Sequence, residues 1–241
     1  TVDWLDPQEP VERDSEFKET VVRIQGLLGR YLDAYSQGTG QRARFRDFDD
    51  EPVAFAYAVA SSLASEGSRV VLCARREALL LEARQNIEKE TGAETLAIAC
   101  DVQNFTDVRR LVATVVERYG AIDILINNAG SVPSIQFTDI DDAQWYKLLE
   151  GKLLGYIRVT REVMPHMRKS GWGRIINVAG TAGWEPSNTS MAVGLNNAAV
   201  MNWTKSLSLQ YAADGILVTA VAPGSIETPR QVRNRQREAE I

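Results

Sequence analysis

From Pro52 onward, short apolar runs alternate with longer stretches in which apolar residues return every three or four positions. Short runs of this kind read as buried strands, and the longer periodic stretches as amphipathic helices. The pattern predicts a small-residue helix over Val53 to Ser65, ending near Gly67, and a strand over Arg69 to Ala74. A helix over Glu77 to Thr91 and a strand over Thr95 to Cys100 come next, then a helix over Asn104 to Tyr119 and a strand over Ile122 to Asn127. A long helix over Gln144 to Met167, a strand over Gly173 to Val178, a second long helix over Ser190 to Ala213 and a strand over Ile216 to Ala222 complete the series. Strands that alternate with helices pair in parallel through right-handed crossovers. The expected fold class is α/β, a doubly wound parallel sheet with helices on both faces.

The first fifty residues break this rhythm. Thr1 to Glu12 is acidic and contains two prolines, which suits an extended arm. Between Asp14 and Tyr35 the residues Phe17, Val21, Ile24, Leu28, Tyr31, Leu32 and Tyr35 share helical spacing. Asp14 or Ser15 can cap the start of that helix, and Gly38 and Gly40 lie beyond its end. Arg42 to Phe48 has the length of a strand, but its charges suit a central parallel strand poorly. The expected organisation is an acidic arm with an amphipathic helix over 1–50 and one α/β domain over 51–241. The basic stretch Arg230 to Arg237 reads as a solvated helix face.

Composition narrows the partners. A net charge of -5 and a pI near 5.1 leave no basic footprint for nucleic acid. No apolar run has the length of a membrane span, and the chain opens on no signal peptide, so the expected compartment is cytoplasmic. Cys73 and Cys100 fall at predicted strand ends and read as buried, reduced thiols. With His166 as the single histidine, near a predicted helix end, a multi-histidine metal centre is excluded.

Four short motifs stand at the ends of predicted strands. Asn127-Asn128-Ala129-Gly130 follows the fourth strand, counting Arg42 to Phe48 as the first. Asp101-Val102 follows the third, Pro223-Gly224 the sixth, and Arg75-Arg76 the second. On these motifs the chain from about Val53 to Pro229 resembles the short-chain dehydrogenase/reductase family, which implies a Rossmann-like fold and chemistry with a nicotinamide cofactor. In that family Arg75-Arg76 would favour a 2′-phosphate, and Asp101-Val102 would lie near the adenine.

The same resemblance exposes departures. The family's glycine-rich phosphate loop falls on Asp49 to Ala56, where its three glycines become Asp50, Ala54 and Ala56. Acidic side chains there oppose a pyrophosphate. The family's Ser, Tyr and Lys fall on Gly180, Val193 and Asn197, and its relay Asn falls on Lys152. Val193 has no proton to transfer. A shifted register brings Ser187, Thr189 or Ser190 near the site, but no Tyr lies between Tyr156 and Tyr211. Lys152 reads as a helix-surface lysine or, if buried, as a proton donor.

The resemblance thus implies a non-catalytic subunit, with no catalytic, metal or cofactor-binding residue of its own. In what it lacks, the chain resembles inactive subunits of hydroxyacyl-CoA dehydrogenase pairs and of antibiotic-pathway ketoreductase pairs. The expected partner is an active short-chain dehydrogenase that carries NAD, in a heterotetramer oxidising a β-hydroxyacyl thioester. The expected contact is through the two long helices, at Trp145, Leu149, Lys152, Tyr156, Trp203, Leu207 and Tyr211. Two other readings stay open: a divergent active NAD(P)-dependent oxidoreductase with relocated catalytic residues, and a small-ligand binding or sensor module.

Overall fold

The computed structural model describes residues 51–130, 135–186 and 191–223, and the backbone alone of residues 51–55. These residues belong to a unit that begins at Phe48. The expected arm, first helix and strand of residues 1–50 lie outside the described residues, as do Ser187, Thr189, Ser190 and everything after Pro223.

The elements follow the predicted order. They are α1 (Glu51–Ser65), β1 (Val70–Ala74), α2 (Glu77–Thr91), β2 (Thr95–Ala99), α3 (Phe105–Tyr119) and β3 (Ile124–Asn127). After them come α4 (Asp142–Leu149), α5 (Gly155–Ser170), β4 (Gly173–Val178), α6 (Met191–Tyr211) and β5 (Ile216–Val221). Local chemistry sets several boundaries. Asn104 caps α3 by accepting from the Thr106 amide at 3.0 Å. Asp141 and Gln144 form a reciprocal capping box that starts α4.

All strand pairs are parallel. β1 pairs with β2, and β4 pairs with both β3 and β5. Among the described residues this gives a two-stranded and a three-stranded sheet. Their orders are the two halves of the 3-2-1-4-5-6 arrangement of doubly wound folds. The first strand, expected at Arg42 to Phe48, lies outside the described residues. One hydrophobic cluster joins the halves, bringing Ile98 of β2 together with Ile175 of β4, Ile216 of β5, Val108 and Val112 of α3, and Val163 and Met167 of α5. Burial of such side chains, at about 25 cal/mol per Å² of apolar surface, is the main force holding the layers together.

Three expectations need correction. The stretch Gln144 to Met167 is not one helix, because a π-helical segment at Glu150–Leu154 separates α4 from α5. Cys73 is exposed rather than buried, while Cys100 is buried and both are free; burial first, and Cys73 nearby second, push the Cys100 thiol up to about 12. Tyr156, expected on a partner surface, is 1% exposed within this chain's own core. His166 lies near the end of α5 as expected.

Candidate active site

The strands end together on one side of the sheet, where ligands of open α/β folds bind. β3 ends at Asn127 and runs into the turn Asn128-Ala129-Gly130. β4 ends at Val178 and passes through Gly180 into a tight turn at Thr181–Gly183. That turn lies hard against α6. A Cβ on Gly183 would come within 3.0 Å of the Asn197 and Ala198 backbone, and one on Gly194 within 2.7 Å of the Ala182 carbonyl oxygen.

Buried polar side chains tie the strand ends to the helices. The Asn127 amide donates to Thr160 Oγ1 of α5 at 3.0 Å and to Asn177 Oδ1 of β4 at 2.8 Å. Asn177 in turn donates to Thr204 Oγ1 of α6 at 2.9 Å. All four residues are buried. The parallel register sets Asn127 opposite Asn177, which is what allows the chain of bonds to cross the sheet.

Lys152 sits in the π segment. Its Nζ donates to Asn197 Oδ1 of α6 at 2.7 Å and lies 5.9 Å from the centre of the Tyr156 ring. Both described partners are neutral. The ammonium is partly buried without a carboxylate at contact, and desolvation lowers its pKa to about 8. Lys152 is therefore not an ordinary helix-surface lysine. Asn197 is 2% exposed, and Gly180 makes room for it: a Cβ at Gly180 would stand 2.8 Å from Asn197 Nδ2.

The nearest phenol is no substitute for Lys152. Tyr156 Oη donates to the Val178 carbonyl oxygen at 3.0 Å, and burial pushes its pKa far above the ordinary value. Val193 is half-buried and carries no polar atom on its side chain. Asn196, one residue before Asn197, is fully buried and donates to the Ala192 carbonyl oxygen at 3.0 Å, while its Oδ1 has no hydrogen-bond partner.

The turn after β3 reaches the same place. Gly130 has φ +119°, and a Cβ there would meet the Gly151 carbonyl oxygen and Lys152 Cβ, each at 2.9 Å. Gly130→Ala is expected to destabilise the fold by about 2–3 kcal/mol, from backbone strain and this collision together. Chemical denaturation measures it; a loss under about 1 kcal/mol would mean that the π segment yields freely.

A family model described as short chain dehydrogenase matches residues 54–239. The chain belongs to the short-chain dehydrogenase family. A Streptomyces coelicolor relative, provisionally named a ketoacyl reductase, is 37% identical over 185 residues, covering 76% of this chain and 70% of its own. The L-fucose dehydrogenase of Bos taurus is 33% identical, covering 71% of this chain and 62% of its own. L-Sorbose reductase from Gluconobacter frateurii, solved with NADPH and L-sorbose, superposes with a TM-score of 0.72 at 29% identity, covering 78% of this chain and 71% of its own. A variant of actinorhodin polyketide ketoreductase solved with NADPH gives 0.71 at 37% identity, covering 75% and 70%.

These short-chain dehydrogenase relatives overturn the expectation of a non-catalytic subunit: they are named as reductases and dehydrogenases, and two are solved with NADPH. The expected heterotetramer and CoA thioester were inferred from catalytic emptiness and lose that ground with it. Of the residues expected at a partner surface, Tyr156 is buried in the chain's own core, while the other six are half-buried and keep part of their surface exposed. Trp145 lies against Ile140, Leu148 and Ala192, Trp203 against the cluster of Tyr156, Ala179 and Val200, and Leu207 and Tyr211 against the main core. Leu149 is half-buried. The buried network and the Lys152–Asn197 pair were both missed in the sequence. A signal for the pair was there: the family's Asn and Lys positions hold Lys152 and Asn197, an exchange of the two residue types.

Among the described residues no helix is long and apolar enough to cross a membrane, and no three His, Cys, Asp or Glu side chains gather as a metal site.

Proposed function

We propose that the chain is a divergent NAD(P)-dependent oxidoreductase that interconverts a ketone of ketoacyl type and its alcohol, with Lys152 as the proton donor. The observation that carries this reading is the exchange of Lys and Asn across the site. The cation of the family's site has moved from α6 to the π segment and bonds to Asn197 at 2.7 Å. Both the amine and its neutral partner are thus present, in reversed positions. The ketoacyl substrate class is drawn from relatives so named.

The described residues suit a dinucleotide at its adenosine half. Arg75 and Arg76 lie exposed directly after β1, where guanidinium groups can hold a ribose 2′-phosphate. Asp101 and Val102 follow β2, beside them. The pyrophosphate would meet the start of α1, with Asp50 just before it, and this is where binding is opposed most strongly. When bound, the reduced nicotinamide supplies a hydride to the carbonyl carbon. Lys152 then gives a proton from Nζ to the carbonyl oxygen, and solvent returns it. Asn197 Oδ1 fixes the direction of the ammonium, and the buried Tyr156 ring lies 5.9 Å from it. A lysine that titrates near 8 is protonated at neutral pH yet acidic enough to donate.

The test is reduction of a β-ketoacyl ester by the full chain with NADPH, alongside a binding titration of NADPH fluorescence. Because the protonated amine is the active form, the rate falls as pH rises through about 8. Stability moves the other way. Unfolding restores the ordinary lysine value of 10.5, so between about 8 and 10.5 the unfolded chain binds more protons and stability rises with pH. Failure to bind NADPH, or a rate indifferent to pH across this window, would overturn the reading.

A further inference from the structure

We infer that the ion pair between Arg158 and Glu150 is a positioning device that holds the π segment in the register delivering Lys152 to Asn197. The inference rests on the proposed role of Lys152 and adds to it the means by which that side chain is placed.

A π turn contains one residue more than the α-helix it interrupts, which turns the two flanking halves by about 100° relative to an unbroken helix. Each half here is locked by its own packing. Leu148 of α4 is buried with Ile140 and Ala192, while Val159 and Val163 of α5 sit in the main core. In the segment between them no residue is fully buried: Leu154 is exposed, and Leu153 packs, half-buried, on the cluster of Tyr156, Ala179 and Val200.

What ties its first residue to the helix beyond it is polar. Glu150 is its first residue, and Arg158 lies eight positions on, one turn beyond its end. Arg158 Nη2 donates to Glu150 Oε1 at 2.8 Å, with the arginine side chain 20% exposed and the glutamate 38%. Arg158 Nη1 is buried with no hydrogen-bond partner. Desolvating a guanidinium nitrogen without an acceptor is unfavourable, so the arginine is not where its own solvation would put it. It lies where it can reach Glu150. With Gly130 pressed against Gly151 and Lys152 from the side, the pair fixes both ends of the segment. Lys152 Nζ then reaches Asn197 across the gap to α6. The charged groups nearest to Lys152 in sequence are Glu150, Lys147 and Arg158, while α6 faces it with the neutral Asn197.

The experiment follows the Lys152 ammonium by heteronuclear NMR in the full chain, with the signal assigned by its absence in Lys152→Met. Arg158→Met and Glu150→Gln should each move the Lys152 midpoint up from about 8 by roughly one pH unit or more, as the amine leaves its buried place. Each should lower kcat for ketone reduction about tenfold or more, with the KM for NADPH little changed. The swap Glu150→Arg with Arg158→Glu should restore both, which a merely structural loss would not do. Arg158→Lys, milder should the others fail to fold, should fall between. An unmoved midpoint in folded single variants, or a swap that restores nothing, sinks the inference. Lack of turnover in the unaltered chain would instead count against the catalytic reading, and the titration would still decide the role of the pair.

Discussion

Lys152→Met lowers NADPH-dependent ketone reduction by about a hundredfold to ten-thousandfold, the range lost with a positioned general acid, and leaves NADPH affinity within a few fold. Met matches the length of the lysine stem and keeps its packing on the Tyr156 ring, so the change removes the proton and the bond to Asn197. No neighbour can take over. The Tyr156 hydroxyl is committed to the Val178 carbonyl oxygen and is held protonated by burial. Lys152→Arg should not rescue the rate, because a guanidinium keeps its proton across the working pH range. Single-turnover measurements with saturating NADPH separate the chemical step from binding. A Lys152→Met variant as active as the unaltered chain would remove Lys152 from the reaction. A variant that loses cofactor binding and rate together would place Lys152 at the cofactor instead.

Much of the sheet was visible in the pattern. β4 occupies the stretch expected for it, Gly173 to Val178, because a run of apolar residues between Gly173 and the small residues after Val178 has few other ways to bury itself. The helix α2 likewise spans Glu77–Thr91 as expected. The π segment was invisible for a physical reason. Apolar spacings of three and four residues tolerate one inserted position, so Trp145, Leu149, Leu153 and Tyr156 looked like one continuous stripe. The insertion turns Tyr156 into the core and Lys152 toward α6, and neither direction follows from spacing alone. Cys73 failed differently: the cover over β1 thins toward the end of the strand, and an apolar run does not show where its cover stops.

The contact between Lys152 and Asn197 was missed because each position was judged by itself. Gly180, Val193 and Asn197 lack the groups of the family's residues, and that much was legible. The pairing of Lys152 with Asn197 was not. Lys152 and Asn197 are 45 positions apart, and their meeting depends on the π segment, on the missing side chain at Gly180 and on the tight seat of Thr181–Gly183 against α6. Sequence spacing can show that a group is absent from its usual place. That Lys152 lies against Asn197 shows only in the fold.

Asn177→Leu is the substitution expected to cost the fold most. Leucine keeps the branched outline of asparagine but is bulkier, so the change opens no cavity; it removes the polar bonding and adds some packing strain. Asn177 is fully buried at the centre of the network. Both amide hydrogens of Asn127 are used, one on Thr160 and one on Asn177. Without Asn177 Oδ1, one of them is left inside the protein with no acceptor, which costs about 1–3 kcal/mol by itself. The bond from Asn177 to Thr204 goes as well, worth about 1 kcal/mol. The total is about 3 kcal/mol, or a fall in Tm of roughly 6–12 °C for a chain of this size. Thr204→Val is the control. Thr204 Oγ1 donates to the Val200 carbonyl oxygen within α6, so that variant loses the Asn177 contact but leaves the Asn127 pair intact and costs about half as much. The two variants also differ in reach. Asn127 and Asn177 hold the carboxyl ends of β3 and β4 side by side, and from those ends spring the turns that carry Gly130 and Gly180. Losing the bond between them therefore loosens both walls around Lys152, and its NMR midpoint should rise in Asn177→Leu but not in Thr204→Val. A loss under about 1 kcal/mol, or equal effects of the two variants on Lys152, would show that apolar packing alone sets the strand ends.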